Sequence, residues 1–225
     1  MQRLYERWRP KTLDAVIGQP VTRALAQFAV EPYPNIFILE GQSGTGKTAT
    51  AMILANTLAD TGWFGGSEYA EIGTRFDVET MRRYFDRATT PFRYCVSAGK
   101  FHILRIEELE RLHPTVQNEL KEALEDAQRR YRLIVIATSN DTSRLEQALR
   151  DRFKMFPFSC GPDFAEAVND WLPAVWAAEV GSGVDLPYGY QSLGWEGEHF
   201  SARRALDGLE KYIALERTGK GMVAA

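Results

Sequence analysis

Cysteine is scarce in this chain, with two residues in 225. Cys95 and Cys160 form no metal-ligand spacing, and two thiols in a chain of this size suit a reducing compartment. Long apolar runs are missing as well. The charged opening MQRLYERWRPKTLD has no signal-type apolar stretch, and nowhere do eighteen apolar residues follow one another. That excludes a membrane-spanning helix and points to the cytoplasm. An excess of charge of one sign is also lacking. A net charge of −3 argues against wholesale coating of nucleic acid, so any such contact must be made by a local basic face. Internal repeats and low-complexity tracts are absent. What remains, 44% hydrophobic and 25% charged residues, is the composition of a soluble globular protein.

One stretch ties the chain to a definite chemistry. Residues Gly41 to Thr48 read GQSGTGKT, a glycine, four residues, then Gly-Lys-Thr, which is the phosphate-loop pattern. IFIL precedes it, a short apolar segment of the kind that makes a buried strand, and ATAMILANTLAD follows with apolar residues at helical spacing. Strand, glycine loop and helix together aim backbone N–H groups and the positive end of a helix dipole at one point, where a polyphosphate can be held. Gly41, Gly44 and Gly46 allow close backbone approach, with Gln42, Ser43 and Thr45 between them. Lys47 would reach the β- and γ-phosphates of ATP, and the Thr48 hydroxyl would ligate Mg²⁺.

Around that loop the chain alternates strands and helices. VTRALAQFAV (21–30) reads as a helix stopped by Pro32 and Pro34. EYAEIG (68–73) reads as a short strand and DVETMRRYFDRA (77–88) as a helix. FHILRI (101–106) is the next strand, then a helix with Pro114 in its first turn, then the buried strand RLIVIATSN (132–140). The short helix SRLEQALRDR leads to a last strand, MFPF (155–158). Such alternation predicts an α/β fold with a parallel sheet covered by helices. After Phe158 the character changes to two helical stretches joined by the Gly- and Pro-rich SGVDLPYGYQSLGW, so a boundary falls near residue 160. Arg105 is out of place within its strand, because a buried charge needs a partner. Residues two apart in a strand share a face, which makes Glu107 that partner.

In the order and type of these segments the chain resembles the AAA+ ATPases, and within them the clamp-loader subunits. The resemblance runs from about residue 4 to about residue 213. It implies a parallel-sheet P-loop NTPase core (1–160) and a small all-α lid domain (161–225), with ATP bound between them. The opening YERWRPKTLDAVIGQP looks like that family's adenine-side segment, which places Val16, Ile17 and Gly18 at the base pocket. FHILRI-EE looks like the acidic strand end. Glu107 falls at the Mg²⁺-associated position, where the family normally has aspartate, and Glu108 at the water-polarising one. ATSN looks like the segment that senses the γ-phosphate, with Asn140 the first choice and Thr138 the next. LRDRF resembles the family's Ser-Arg-Cys segment and makes Arg152 the arginine that reaches into a neighbour's site. The same Leu-Arg-x-Arg-Phe also resembles the Holliday-junction branch-migration motors. SARRALDGL is similar to the clamp-loader lid pattern and places Arg203 over the γ-phosphate.

The resemblance further implies an assembly. Other AAA+ subunits would join in a ring or spiral, a pentamer in that family, acting on a sliding clamp and on primer–template DNA. Inner helices would track the DNA backbone through Arg75, Arg82, Arg83, Gln117 and Lys121. The cysteine cluster of bacterial clamp-loader subunits is missing, so no zinc is expected. Two other readings stand beside this one: a nucleotide-binding scaffold subunit that does not turn ATP over, and a branch-migration or transposition-type motor.

Overall fold

LIVIATS forms the strand on which the sheet is built, because β-branched and apolar side chains can fill both of its faces. A computed structural model of the chain describes residues 2–60, 78–79, 102–130 and 133–218. In it the strand Leu133–Ser139 is buried at every position. The strands are numbered over the described residues as β1 (Asn35–Glu40), β2 (His102–Ile106), β3 (Leu133–Ser139) and β4 (Lys154–Pro157), arranged in the order β2-β3-β1-β4. All three pairings are parallel. Asn35 lies opposite Ile134 and Glu40 opposite Ser139, while Ile106 pairs with Ala137 and Glu40 with Pro157. All four strands therefore end along one edge of the sheet, where ligands of open α/β folds collect. The residues that follow those ends are the phosphate loop, Glu107 and Glu108, Asn140 and Phe158.

Contacts gather the chain into two bodies, one of residues 20–41 and 47–158 and the other of residues 1–19, 42–46 and 159–225. The first holds the sheet. Its helices include α2 (Val21–Val30), α3 (Lys47–Asp60) and α4 (Pro114–Arg130), and α1 is the short turn Leu4–Arg7 of the other body. Val116, Leu120 and Leu124 recur every four residues along α4, so they share a face and pack with Ile36, Ile38, Leu104, Val135 and Ala137. Each such fully buried aliphatic side chain contributes about 1.5–3 kcal/mol over its exposed state. A short helix, α5 (Gln147–Arg150), precedes β4. The expected strand 68–73 and all but two residues of the expected helix 77–88 lie outside the described residues.

The second body is helical, with α6 (Pro162–Val180), α7 (Ala202–Arg217) and a two-residue hairpin of β5 (Trp195–Glu196) and β6 (His199–Phe200) between them. Phe164, Val168, Leu172, Val175 and Trp176 of α6 pack against Leu206, Leu209 and Ile213 of α7. Leu4 is fully buried in the same cluster, and its N–H donates to Glu210 Oε1 at 2.9 Å. Glu179 draws in three donors, Trp8 Nε1 and Arg7 Nη2 at 2.9 Å and Arg217 Nη2 at 3.0 Å. The basic, aromatic N-terminal arm thus belongs by packing to the C-terminal helices. No helix among the described residues is long and apolar enough to cross a membrane.

Candidate nucleotide site

The phosphate loop leaves β1 through a backbone conformation that L-residues rarely adopt. Gly41, Gly44 and Gly46 have φ of 148°, 83° and 102°, so glycine is required by the turn itself. Space forbids other residues too. A Cβ on Gly41 would sit 2.5 Å from the Phe158 carbonyl oxygen. The 14-residue α3 then begins at Lys47, which puts its N-terminal N–H groups beside the loop. These features fit a polyphosphate.

Lys47 is 6% exposed, yet its ammonium is well engaged. Its Nζ donates to the Gly41 carbonyl at 2.6 Å and to Asn140 Oδ1 at 3.0 Å. Asn140 directly follows β3, so the parallel register that aligns Glu40 with Ser139 also brings its amide to Lys47. On its other side Asn140 meets Glu110, whose Oε1 accepts from the Asn140 backbone N–H at 3.1 Å and from Nδ2 at 2.9 Å. A carboxylate, an amide and an ammonium therefore form one chain across the ends of β2, β3 and β1. Nothing in the sequence order singled out Glu110. It lies two residues past Glu108 in a 3₁₀ turn, Leu109–Arg111, whose geometry is not periodic with the strand.

The acidic pair after β2 is tied to arginines of its own chain. Arg105 Nη2 lies 3.4 Å from Glu107 Oε1, with the arginine side chain 9% exposed. Glu108 Oε2 lies 2.8 Å from Arg111 Nη1. Its backbone is left-handed, at φ 54° and ψ 51°, and no other non-glycine among the described residues has positive φ. That conformation costs about 1–2 kcal/mol, and the Glu108 N–H recovers a hydrogen bond to Thr138 Oγ1 at 3.2 Å. Thr138 itself is buried, at 2% exposure, so it supports the turn while Asn140 faces Lys47.

In the second body, residues 42–46 of the loop lie against the start of α7. The Ala202 N–H donates to the Gly44 carbonyl at 3.1 Å, and a Cβ on Gly44 would overlap Ser201 Oγ at 1.9 Å. Arg203 is exposed one residue further on, with its guanidinium carbon 5.4 Å from the centre of the Tyr5 ring. Val16 Cγ1 would be 3.4 Å from a Cβ on Gly46, and Gly18, at φ 63°, sits where a Cβ would meet Phe164 at 2.9 Å. Ile17 packs on the helical core. Gln19, which the sequence left unassigned, is 3% exposed and bonds to Thr45 and Ser159. Its Nε2 donates to the carbonyls of Thr45 (3.3 Å) and Ser159 (2.8 Å), and its Oε1 accepts from the Ser159 N–H at 2.9 Å. Within the loop, Thr45 Oγ1 donates to the Gln42 carbonyl at 2.9 Å, Ser43 is exposed and Thr48 is half-buried.

Of the remaining expected residues, Arg152 is turned onto its own chain, where it pairs with Glu125 and donates to the Ala148 carbonyl. Gln117 requires a correction. It was expected to face DNA, but it is 2% exposed and its amide is spent on backbone. Nε2 donates to the Leu112 carbonyl at 3.0 Å, and Oε1 accepts from the Glu146 N–H at 2.9 Å. A side chain so placed braces two turns and does not reach a ligand outside. Lys121 is half-buried one turn later. Arg75, Arg82 and Arg83 lie outside the described residues.

With this geometry in place, the chain can be set beside known proteins. Residues 37–159 match the family model described as "ATPase family associated with various cellular activities (AAA)". A replication factor C small subunit of Thermofilum pendens is 24% identical over 216 residues, covering 94% of this chain and 63% of that protein. The DNA polymerase III subunit gamma of Buchnera aphidicola is 28% identical over 165 residues, covering 61% and 41% respectively. The chain thus spans between two fifths and two thirds of these relatives. Among solved structures, the Thermotoga maritima RuvB Holliday junction branch migration motor superposes with a TM-score of 0.66 at 19% identity, covering 95% of this chain and 67% of that one. Likeness at that identity shows the fold alone.

Proposed function

The chain belongs to the AAA family, whose model covers more than half of it, and on that premise we propose that it is a cytoplasmic ATP-binding and ATP-hydrolysing subunit of a clamp-loader-like assembly. The observation that carries this is the Lys47–Asn140 contact across the ends of β1 and β3. It joins a cation and a polar side chain at the strand ends, where the phosphate-loop sequence leaves β1. The clamp-loader assignment is supported by likeness to a replication factor C small subunit and a DNA polymerase III subunit gamma. We take residues 1–160 as the core and 161–225 as the lid, with the arm of residues 1–19 packed on the helices of the lid.

In this reading Lys47 and the N–H groups of residues 42–48 bind and orient the polyphosphate. Val16, Ile17 and Gly18 line the base, and Arg203 meets the γ-phosphate. Thr48, at the start of α3, and Glu107, after β2, would hold Mg²⁺. Bound Mg²⁺-ATP supplies the transferable phosphoryl group and a cation that offsets its charge. Glu108 accepts a proton from the attacking water, which Asn140 orients, and Arg152 serves the site of the neighbouring subunit. ATP binding closes a ring or spiral of AAA+ subunits, a pentamer, around primer–template DNA and a sliding clamp. Arg75, Arg82, Arg83 and Lys121 follow the DNA backbone, and hydrolysis releases clamp and DNA.

A second reading is favoured by one observation. Both acidic residues at the end of β2 are paired with arginines of the same chain, as a scaffold subunit that holds ATP without spending it would tolerate. ATP turnover of wild type and Glu108→Gln, with and without primed DNA, separates the two. The enzymatic reading expects wild-type turnover, raised by primed DNA and lost in the variant. Equal rates in wild type and variant under both conditions, with ATP bound, would establish the scaffold.

A further inference from the structure

We infer that Glu110 is a positioning residue for Asn140, which fixes the orientation of its amide at the nucleotide site; the inference rests on the ATPase reading above. An ammonium can only donate and a carboxylate can only accept. Asn140 stands between the two, with Oδ1 on Lys47 Nζ at 3.0 Å and Nδ2 on Glu110 Oε1 at 2.9 Å. Rotating the amide by half a turn would set its NH₂ against the ammonium and its carbonyl against the carboxylate, losing both hydrogen bonds and adding two repulsions. The same Oε1 accepts the Asn140 backbone N–H at 3.1 Å, so Glu110 holds both the main chain and the side chain of one residue. One oxygen thereby sets where the amide sits and which way it faces.

The arrangement has a structural basis in the turn that carries it. The left-handed backbone at Glu108 ends β2 and starts the 3₁₀ turn Leu109–Arg111, with Leu109 fully buried beneath it. That anchor directs Glu110 back along the strand ends toward β3, while Glu108 and Arg111 stay on the more open side. Glu110 Oε2 is buried and has no hydrogen-bond partner among the described residues, so the carboxylate is held in place by Asn140 alone at the other oxygen. A group kept at that desolvation cost, with a single neighbour to serve, is explained by what it does to that neighbour.

The consequence for chemistry is directional. With Glu110 in place, Asn140 presents an acceptor toward Lys47, and the ammonium is held between that acceptor and the Gly41 carbonyl. Without Glu110 the amide is free to turn, and a misplacement of about 1 Å at such a site can cost on the order of a hundredfold in rate.

The test uses the whole chain in three variants, Glu110→Gln, Glu110→Asp and Glu110→Ala. Glutamine keeps an acceptor at the same reach, aspartate keeps the charge but falls a methylene short, and alanine keeps neither. Positioning predicts that alanine and aspartate lower kcat about tenfold or more, with the Kd for ATP changed less than about threefold, while glutamine stays within about threefold of wild type. Retention by aspartate and loss by glutamine would overturn the inference, since charge and not reach would then be the requirement. The ¹⁵N-detected side-chain amide signal of Asn140, assigned through its loss in Asn140→Asp, reads the hydrogen bond without any turnover. It is expected to move in Glu110→Ala and to stay near its place in Glu110→Gln; an unmoved signal in the alanine variant would overturn the inference. If wild type turns over no ATP at all, the ATPase reading falls while this signal still decides the positioning.

Discussion

The two strands that flank β3 end in opposite conditions. Beyond β1, Lys47 is bonded to the carbonyl of the positive-φ Gly41 and to the Asn140 amide, both groups proposed for the phosphate side of the site. Beyond β2, Glu107 and Glu108 are turned toward Arg105 and Arg111 of the same chain. The strands share one sheet and one register, so the difference lies in the side chains placed at their ends. The ammonium proposed for binding is bonded to uncharged acceptors, and the carboxylates proposed for Mg²⁺ and for the attacking water are paired with cations. If the proposed roles hold, binding and hydrolysis are set by side chains on different strand ends and can be changed separately.

That contrast can be pressed from several sides. The largest effect belongs to Glu108→Gln, which should lower ATP turnover by about 10²–10⁴-fold, as loss of a general base does. Its ATP affinity should stay near wild type, and a parallel fall in affinity would erase the distinction between the two strand ends.

Next in size is a change in the other body. Glu179 is pulled below the ordinary carboxylate range; burial works against ionisation, and the hydrogen bond from Trp8 and the charges of Arg7 and Arg217 outweigh it. A folded-state pKa below the unfolded one contributes stability at pH values above the unfolded pKa, and that contribution is lost as pH falls through the folded one. Glu179→Gln should therefore lower the unfolding free energy of the helical body by about 2 kcal/mol at pH 7. The gap to wild type should close as pH drops below the ordinary carboxylate range. Denaturant titrations at pH 7 and pH 3.5 check this, and a gap that does not narrow would refute the proposed role of the charge. Nucleotide affinity at pH 7 serves as the control, since Glu179 lies in neither flank.

The smallest effect sharpens the contrast most. The Arg111–Glu108 pair is half exposed, at 55% and 43%, and such pairs contribute about 1 kcal/mol at most. Arg111→Ala should release Glu108 and raise turnover by no more than about fivefold, without changing ATP affinity. A fall in turnover would mean that Arg111 orients Glu108 for its work instead of restraining it.

Much of this was legible in the sequence, for reasons that differ from residue to residue. The strand, loop and helix around GQSGTGKT are local, so spacing alone placed β1 and α3. The Arg105–Glu107 pair followed from the twofold period of a strand and a buried charge in need of a partner. Glu110 escaped notice because its contact with Asn140 depends on the β2–β3 register and on a left-handed residue at Glu108, neither of which is written in a periodicity. The resemblance places Gln117 on a helix that tracks DNA, whereas backbone carbonyl and N–H groups of nearby turns give its amide partners inside. Gln19 carries no local signal either, since the groups it joins, Thr45 and Ser159, are far from it in sequence. The N-terminal arm illustrates a third kind of limit. Its aromatic and basic residues were visible, but the acceptors that gather them, Glu179 and Glu210, stand at the other end of the chain.

The central claim is that nucleotide affinity rests on Lys47 beyond β1 far more than on Glu108 beyond β2. Calorimetric titration of wild type, Lys47→Ala and Glu108→Gln with a non-hydrolysable ATP analogue and Mg²⁺ measures this directly. The account predicts that Lys47→Ala loses about a hundredfold or more in affinity, equivalent to roughly 2.7 kcal/mol, while Glu108→Gln stays within about threefold of wild type. Equal losses in the two variants, or full affinity in Lys47→Ala, would contradict it.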